Sequence, residues 1–446
     1  MQSKIVVLAT ARTPFGRLGG ALASLPATVL GGEAIRAAVT RANVEPGEVE
    51  HVIMGQVLQG GAGQAPARQA AYNAGLAKTV TFETINKVCA SGMIAIVHGA
   101  RLIDDGGAAV VVAGGMESMS NAPYAALNAR FGYRFGDGAL VDLMNYDGLL
   151  DPWSKMSMAQ AQSKVNADLE ITREVQDEFA YTSHARAAKA TADGTLRDEI
   201  VALKVATKAR GKLVVDEMPV QARPRIPVHA GGNGAASPIW GHESDAALVP
   251  DGKRFLPYVT GDAPFTLVDK DEPIRADSTL ESMAKLPPLD KDGTVTAGNA
   301  PGVNDGAAAL VLASAEYATR AGKTALAEVV AHAAASWDPA YLALTPAMAA
   351  QKLLDRCGLK AADIHVWEVN EAFAAVAWST ARLLGLDPKT LNALGGAVAF
   401  GHPVGASGAR ITASVVHQLR RRGGGLGIAA ICSGGGQGDA ILIRVE

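Results

Sequence analysis

Ala90-Ser91-Gly92, a helical stretch, Gly106-Gly107, an apolar run and Gly114-Gly115 return near the other end of the chain as Ala406-Ser407-Gly408, Gly423-Gly424, Leu426 to Ile431 and Gly434-Gly435. Small residues opening a helix, a glycine turn and a buried strand in the same order twice mark two copies of one unit. The likeness extends upstream, where Gly47 to Met54 and Ala361 to Glu368 each read as an acidic turn feeding a strand. It also extends downstream. Gly434-Gly435-Gly436-Gln437-Gly438 runs straight into Asp439 to Ile443, whereas the first copy reaches its counterpart only at Asp305 to Leu312. The expected division is an N-terminal half at 1–118 completed by about 304–324, an inserted loop domain at 119–303, and a C-terminal half at 325–446.

A chain of 446 residues is too long for one simple core. Hydrophobic residues make up 48% and aromatic ones 5%, a composition suited to close-packed α/β layers rather than a sandwich of aromatic-rich strands. Short apolar strands such as His51–Val57, Ala108–Ala113, Leu326–Ala331, Ile364–Val369 and Leu426–Cys432 alternate with Ala-rich helices, so the fold class is α/β with mixed sheets covered by helices. A net charge of −3 gives no broad basic surface for nucleic acid. Three separated cysteines fit neither a disulfide framework nor a metal site and point to a reducing compartment. Lys4 to Leu8 reads as a strand without a preceding signal peptide, and no apolar run is long enough to span a bilayer, so a cytoplasmic protein is expected.

Inside the insertion, Thr172 to Thr191 places Val175, Phe179, Ala180, Ala187 and Ala188 along one side of an amphipathic helix. From about 217 to 268 seven prolines and several glycines interrupt any regular element, and Trp240, Phe255, Tyr258 and Phe265 make this excursion apolar enough to pack on the body or a second subunit.

Three side chains carry the chemistry. Cys89, in Asn86-Lys87-Val88-Cys89-Ala90-Ser91-Gly92-Met93, stands where a strand gives way to a helix, and the helix N-terminus is expected to lower its pKa and make it a nucleophile. His402 sits in Gly395 to Gly408 on a turn stiffened by Pro403, placed to take a proton from a thiol of the other half. Cys432 ends a strand at a glycine-rich loop whose N–H groups face developing negative charge, which suits proton transfer to or from carbon. Asn370, in Asn370-Glu371-Ala372-Phe373, offers a neutral amide for a water or an oxyanion; Cys357 is read as packing.

Together Asn86–Met93, Gly114–Ser120, Asn370–Ala375, Gly395–Arg410 and Cys432–Gly438 closely resemble the thiolase family, the acetyl-CoA acetyltransferases and 3-ketoacyl-CoA thiolases, and the resemblance covers the chain apart from about 217–268. It implies a five-layer αβαβα fold with a loop domain over the coenzyme. It also implies a ping-pong reaction in which Cys89 forms an acyl-enzyme, His402 activates it and Cys432 handles the α-proton. One oxyanion site would come from His402 and a water on Asn370, the other from the N–H groups of Cys89 and Gly434. Coenzyme A would be a co-substrate, with no tightly bound cofactor and no metal, and the partners would be acyl-CoA and CoA rather than nucleic acid or membrane. Met158, Ala297, Ala300, Ala372 and Phe373 match the apolar pantetheine channel, and Arg275 the adenine-side arginine. The chain departs from the pattern at Ser157, where histidine is usual, at Pro301, where serine is usual, and at Ala90 and Ser433. A homodimer or homotetramer is implied, with Pro123 to Asp137 as the tetramer hairpin. A decarboxylating condensing enzyme would lack a thiol such as Cys432, and a noncatalytic acyl-binding scaffold would have no use for four matched reactive groups.

Overall fold

A computed structural model describes residues 4–206 and 265–446 of the chain. The N-terminal unit consists of β1 (Ile5–Arg12), α1 (Ala27–Ala42), β2 (His51–Gly55), α2 (Pro66–Asn73), β3 (Thr81–Ile85), α3 (Ser91–Asp104), β4 (Val110–Ser118) and, beyond the insertion, β5 (Asn304–Ser314). The insertion contributes α4 (Met158–Asp168) and α5 (Arg173–Ala192). The C-terminal unit repeats the scheme with β6 (Ala327–Ser336), α6 (Thr345–Cys357), β7 (Val366–Val369), α7 (Ala374–Leu383), α8 (Ser407–Arg421), β8 (Gly425–Ser433) and β9 (Gln437–Val445).

Nine of these strands run in the order β7-β8-β9-β6-β1-β5-β4-β2-β3. Pairing is parallel at the two ends, β7 with β8 and β2 with both β3 and β4, and antiparallel between. β1 pairs with β5 from Ile5 to Arg12 but with β6 only from Ile5 to Val7, so the sheet divides into two wings there.

Side-chain alternation sorts the strands' residues into three cores. Val6, Leu8, Val52, Val112 and Val311 pack under α1 and α2 with Leu30 and Ile35. Val7, Ile53, Val111, Leu310, Ile431 and Ile441 point the other way, onto α3 and α8 through Ile96, Ile411 and Val415. Ile428, Val369 and Leu442 close against α6 and α7 with Leu353, Leu354 and Ala377. The layers are therefore α1/α2, N-terminal wing, α3/α8, C-terminal wing, α6/α7, the five-layer αβαβα architecture. Strands of this kind, covered on both faces, must be apolar throughout, which explains the near-continuous Ala, Val and Ile runs.

The central layer positions the site. α3 and α8 meet end to end through glycines: a Cβ at Gly92 would lie 2.8 Å from the Gly405 carbonyl oxygen, and one at Gly408 would lie 2.5 Å from the Met93 amide nitrogen. Only glycine lets these helix starts approach so closely. The turns that precede them, with Cys89 and His402, are thereby brought together.

Two sequence readings change. Gly114-Gly115 is not the counterpart of Gly434-Gly435. Strand register sets Gly115 beside Gly55 and Ala430 beside Val369, so Gly115 is level with Ala430 in mid-strand, while Gly434 lies in the turn after β8. Gly115 is small for another reason, since a Cβ there would sit 1.9 Å from the Gly405 carbonyl oxygen. In α5 only Ala180 and Ala187 of the expected apolar stripe are buried, Val175, Phe179 and Ala188 being half-buried, and the buried face also includes Gln176, Asp177, Ser183 and His184. Each has a partner: Gln176 accepts from Asn166 (2.9 Å), Asp177 from Asn299 (2.9 Å), Ser183 donates to Glu371 (2.8 Å), and His184 accepts the Arg275 amide (3.2 Å). Hydrophobic periodicity cannot register a buried face made of satisfied polar groups.

Most of the proline-rich excursion lies outside the described residues. Its last four, Phe265–Val268, pair antiparallel with Leu203–Ala206, and Phe265 is exposed under the Lys204 ammonium rather than packed on the body.

Candidate active site

Cys89 rides on a strained turn. After β3 ends, Val88 takes φ 46°, a left-handed conformation that costs a β-branched residue about 1–3 kcal/mol. Hydrogen bonds hold it. The Val88 amide donates to Asn86 Oδ1 (3.0 Å), the Lys87 amide to Ser91 Oγ (2.8 Å), and Ser91 Oγ to the Val88 carbonyl (2.6 Å). The other half fastens the same turn: Ser433 Oγ donates to the Lys87 carbonyl (2.5 Å), and Lys87 Nζ meets buried Asp439 at 2.8 Å.

The thiol of Cys89 does not have the lowered pKa expected from its place before a helix. Burial pushes it up to about 11, and the nearby Glu117 carboxylate adds to this; the hydrogen bonds from the Gly434 and Cys89 amides work in the opposite direction but do not prevail. Sequence position shows the helix terminus but not the desolvation, which here outweighs the two amides. The thiol is therefore protonated at rest, next to two amide donors that would suit an oxyanion.

His402 follows Gly401, whose φ of 103° only glycine adopts readily. The His402 amide donates to Asn304 Oδ1 at 2.8 Å. Its Nδ1 lies 2.6 Å from Ser407 Oγ, and Ser407 Oγ in turn donates to the Pro403 carbonyl at 3.1 Å. With its proton committed to that carbonyl, the hydroxyl accepts from Nδ1–H, which leaves Nε2 as the bare nitrogen of the ring. Nε2 is buried and has no hydrogen-bond partner among the described residues. Burial, reinforced by Arg410, pulls the imidazole down to about 3, so it is neutral. Ser407, the residue that fixes the tautomer, was quoted in the sequence motif without a role; its spacing of five from a histidine on a Pro-containing turn is the signal that could have found it.

Asn370 follows directly after β7, anchored by its amide to the Ala430 carbonyl at 2.9 Å. Its side chain is fully buried, yet neither Oδ1 nor Nδ2 has a partner among the described residues. A buried amide left this way costs about 1–3 kcal/mol unless a ligand or water engages it. Next to it, Glu371 is buried as a strut: it accepts from Ser183 Oγ (2.8 Å), Asn392 Nδ2 (2.7 Å) and the Val398 amide (3.0 Å), fixing the segment that leads to His402.

Cys432 is buried at the end of β8, and burial, together with the neighbouring Cys89, holds its thiol well above the ordinary value. It belongs to one apolar cluster with Ala300 and Phe373, against which Met158 and Ala372 pack, so four of the five residues expected along the pantetheine arm share a cluster with the second thiol. Gly434 begins the turn to β9 and lies so near the Cys89 turn that a Cβ on it would come 3.1 Å from Val88 Cγ1. Arg275 is exposed and reaches the Ala297 carbonyl with Nη1 at 3.0 Å, which brings those two together at the surface. Ser157 caps α4, its Oγ accepting the Gln160 amide at 3.2 Å. Pro301 is half-buried in the segment that enters β5. Cys357 lies against the outer core between α6 and the C-terminal wing.

Residues 5–226 and 256–316 match the pattern of the thiolase N-terminal domain, and residues 323–445 that of the thiolase C-terminal domain. The chain belongs to the thiolase family. Among its relatives in that family it is 42% identical to a probable acetyl-CoA acetyltransferase of Mycobacterium tuberculosis, over 98% of both chains. It is 41% identical to an acetyl-CoA acetyltransferase of Cupriavidus necator, over 99% of each. Among solved thiolase-family structures, an acetyl-CoA acetyltransferase of Bacillus anthracis superposes with a TM-score of 0.84 at 37% identity, covering 99% of both chains. Among the described residues no helix is long and apolar enough to cross a membrane.

Proposed function

We propose that this chain is a CoA-dependent acyltransferase that cleaves 3-ketoacyl-CoA with CoA, and in reverse condenses two acetyl units, through an acyl-enzyme on Cys89. What supports this reading is the close approach of the two helix starts at Gly92 and Gly405, which sets the turn bearing a half-buried Cys89 against the turn bearing His402 with its Nε2 bare, while buried Cys432 neighbours Cys89 within an apolar cluster.

In thiolysis Cys89 Sγ attacks the 3-keto carbonyl carbon and its proton passes to His402 Nε2. The bond between the α- and β-carbons breaks, and the carbanion takes the proton of the Cys432 thiol. CoA then attacks the acyl-Cys89 carbonyl, its thiol proton restores Cys432, and the departing Cys89 sulfur takes back the proton held on His402. Because burial disfavours thiolate at both cysteines, each proton moves as the bond forms or breaks rather than beforehand. The amides of Cys89 and Gly434 would hold the tetrahedral oxyanion. Asn370, with a water and protonated His402, would hold the enolate.

Met158, Ala300, Ala372 and Phe373 would line the pantetheine arm, with Ala297, Pro301 and Arg275 towards its outer end. Ser157 in place of histidine removes an imidazole donor near the thioester, which shifts acyl preference. The cytoplasm suits a chain with three free thiols. A homo-oligomer is supported by Leu127, Phe131, Phe135 and Leu140, exposed on one short segment, and by Phe82 exposed on the edge strand β3. The reading is tested by mixing the purified protein with CoA and 3-ketoacyl-CoA esters of increasing chain length. Cleavage of at least one ester is expected; no cleavage of any would overturn it.

A further inference from the structure

The pseudo-twofold axis has a second end. Register places Glu117, two residues beyond Gly115, where Cys432 stands two beyond Ala430. The Ser91-Gly92 and Ser407-Gly408 pairs likewise match Gly405 with Cys89. In one half Cys432 faces Cys89. In the other Glu117 faces Gly405, and the carboxylate fills the space: Oε2 accepts the Gly405 amide (2.9 Å) and the Val57 amide (3.0 Å), and Oε1 accepts the Leu58 amide (3.1 Å). No side chain fits at 405, where a Cβ would lie 2.7 Å from Glu117 Oε2 and 2.9 Å from the Met116 carbonyl oxygen. The Gly405 amide, the counterpart of the Cys89 amide, is thus engaged by the protein's own carboxylate.

Glu117 is fully buried and joins three segments: the loop after β2, the end of β4 and the loop from His402 to Ser407. Val57, Leu58 and Val404, from two of these segments, pack in one cluster with Val88 and Cys89. Burial, with Asp305 adding to it, pushes the carboxyl up to about 7 against the pull of its three amides. Three buried N–H donors need acceptors here, and the two oxygens of one carboxylate supply them, which ties the three segments to a single side chain.

We propose that Glu117 is a positioning residue for the Cys89 and His402 pair, its carboxylate setting the His402 loop against the Cys89 turn by gathering the amides of Val57, Leu58 and Gly405. The claim that alignment matters for turnover rests on the proposed activity, so the test includes a readout that needs no turnover. Glu117→Gln keeps the shape and one acceptor oxygen; Glu117→Met keeps none. Expected are losses in kcat of about tenfold and a hundredfold or more, respectively, with KM within about threefold of the parent. Alkylation of Cys89 by iodoacetamide, followed by peptide mass spectrometry, should slow in the same order. Both variants remove a negative charge, which by itself eases ionisation of Cys89 and would speed alkylation, so slowing reports lost alignment. Unchanged or faster alkylation in a folded Glu117→Met protein would overturn the proposal. If that variant does not fold, Glu117→Gln decides, and a parental alkylation rate would be equally fatal. If the parent shows no thiolysis, the activity reading fails, while the order of alkylation rates still judges Glu117.

Discussion

Gly434 stands against Val88 across the boundary between the two halves, so close that a Cβ on it would come 3.1 Å from Val88 Cγ1, and its amide is the first of the groups that oppose the raised pKa of the Cys89 thiol. Gly434→Ala must move either the donor or the strained Val88 turn. Removal of one oxyanion donor generally costs about 10²–10³ in kcat, and a loss of at least tenfold is expected here because the amide is displaced rather than deleted. Steady-state kinetics with a melting curve alongside would check it: parental kcat in a folded variant contradicts the role given to this amide.

Asn370 offers two orphaned amide atoms in a fully buried position. Asn370→Ala removes groups that have no partner among the described residues, so stability should stay the same or rise slightly while condensation and thiolysis fall by about 10². Thermal unfolding and kcat measured together separate the two. A drop in melting temperature with unaltered kcat would show that the amide is structural.

His184 gives a stability prediction with a definite sign. Burial, with Arg275 acting in the same direction, pulls its imidazole down to about 4 from an ordinary 6.5, while Asp277 opposes. Between those values the unfolded chain binds a proton that the folded one refuses, so this contribution to stability is complete above about 6.5 and is lost as pH falls towards 4. Urea unfolding at pH 7.5 and 5.0 should show a loss about 2 kcal/mol larger in the parent than in His184→Gln. Equal losses would mean that His184 is protonated in the fold. Glu117 and Glu368, pushed up to about 7 by burial, act with the opposite sign and are common to both proteins, which is why the difference between the two is the useful quantity.

Assembly can be tested at Phe131 and Phe135, which are 90% and 101% exposed and therefore carry no weight in the monomer's core. The double variant Phe131→Ser with Phe135→Ser should keep the parental melting temperature at low concentration and elute as a smaller species in size exclusion with light scattering. An unchanged mass would remove this segment from the interface.

Much of the fold was legible because a doubled pattern of glycines, small helix starts and apolar strands can be recognised without knowing contacts, and Cys89, His402, Cys432 and Asn370 stand at the strand ends and helix starts that pattern marks. What was hidden depends on burial and register. The thiol of Cys89 has a raised rather than lowered pKa because desolvation outweighs the pull of the Gly434 and Cys89 amides. Gly114-Gly115 and Gly434-Gly435 look alike as text but serve different needs, one making room for the His402 loop and the other turning a hairpin. Ser407 acts through two hydrogen bonds around a tight turn and Glu117 through three to segments distant in the chain, and composition has no signature for either.

The most direct measurement of the central claim is peptide mass spectrometry of the protein quenched in acid after brief exposure to acetyl-CoA in the absence of an acceptor. The account predicts a mass increase of one acetyl group on the peptide with Cys89, present in the parent and in Cys432→Ser, and strongly reduced in His402→Ala. An adduct on Cys432 or Cys357 instead, or none at any cysteine, would contradict it.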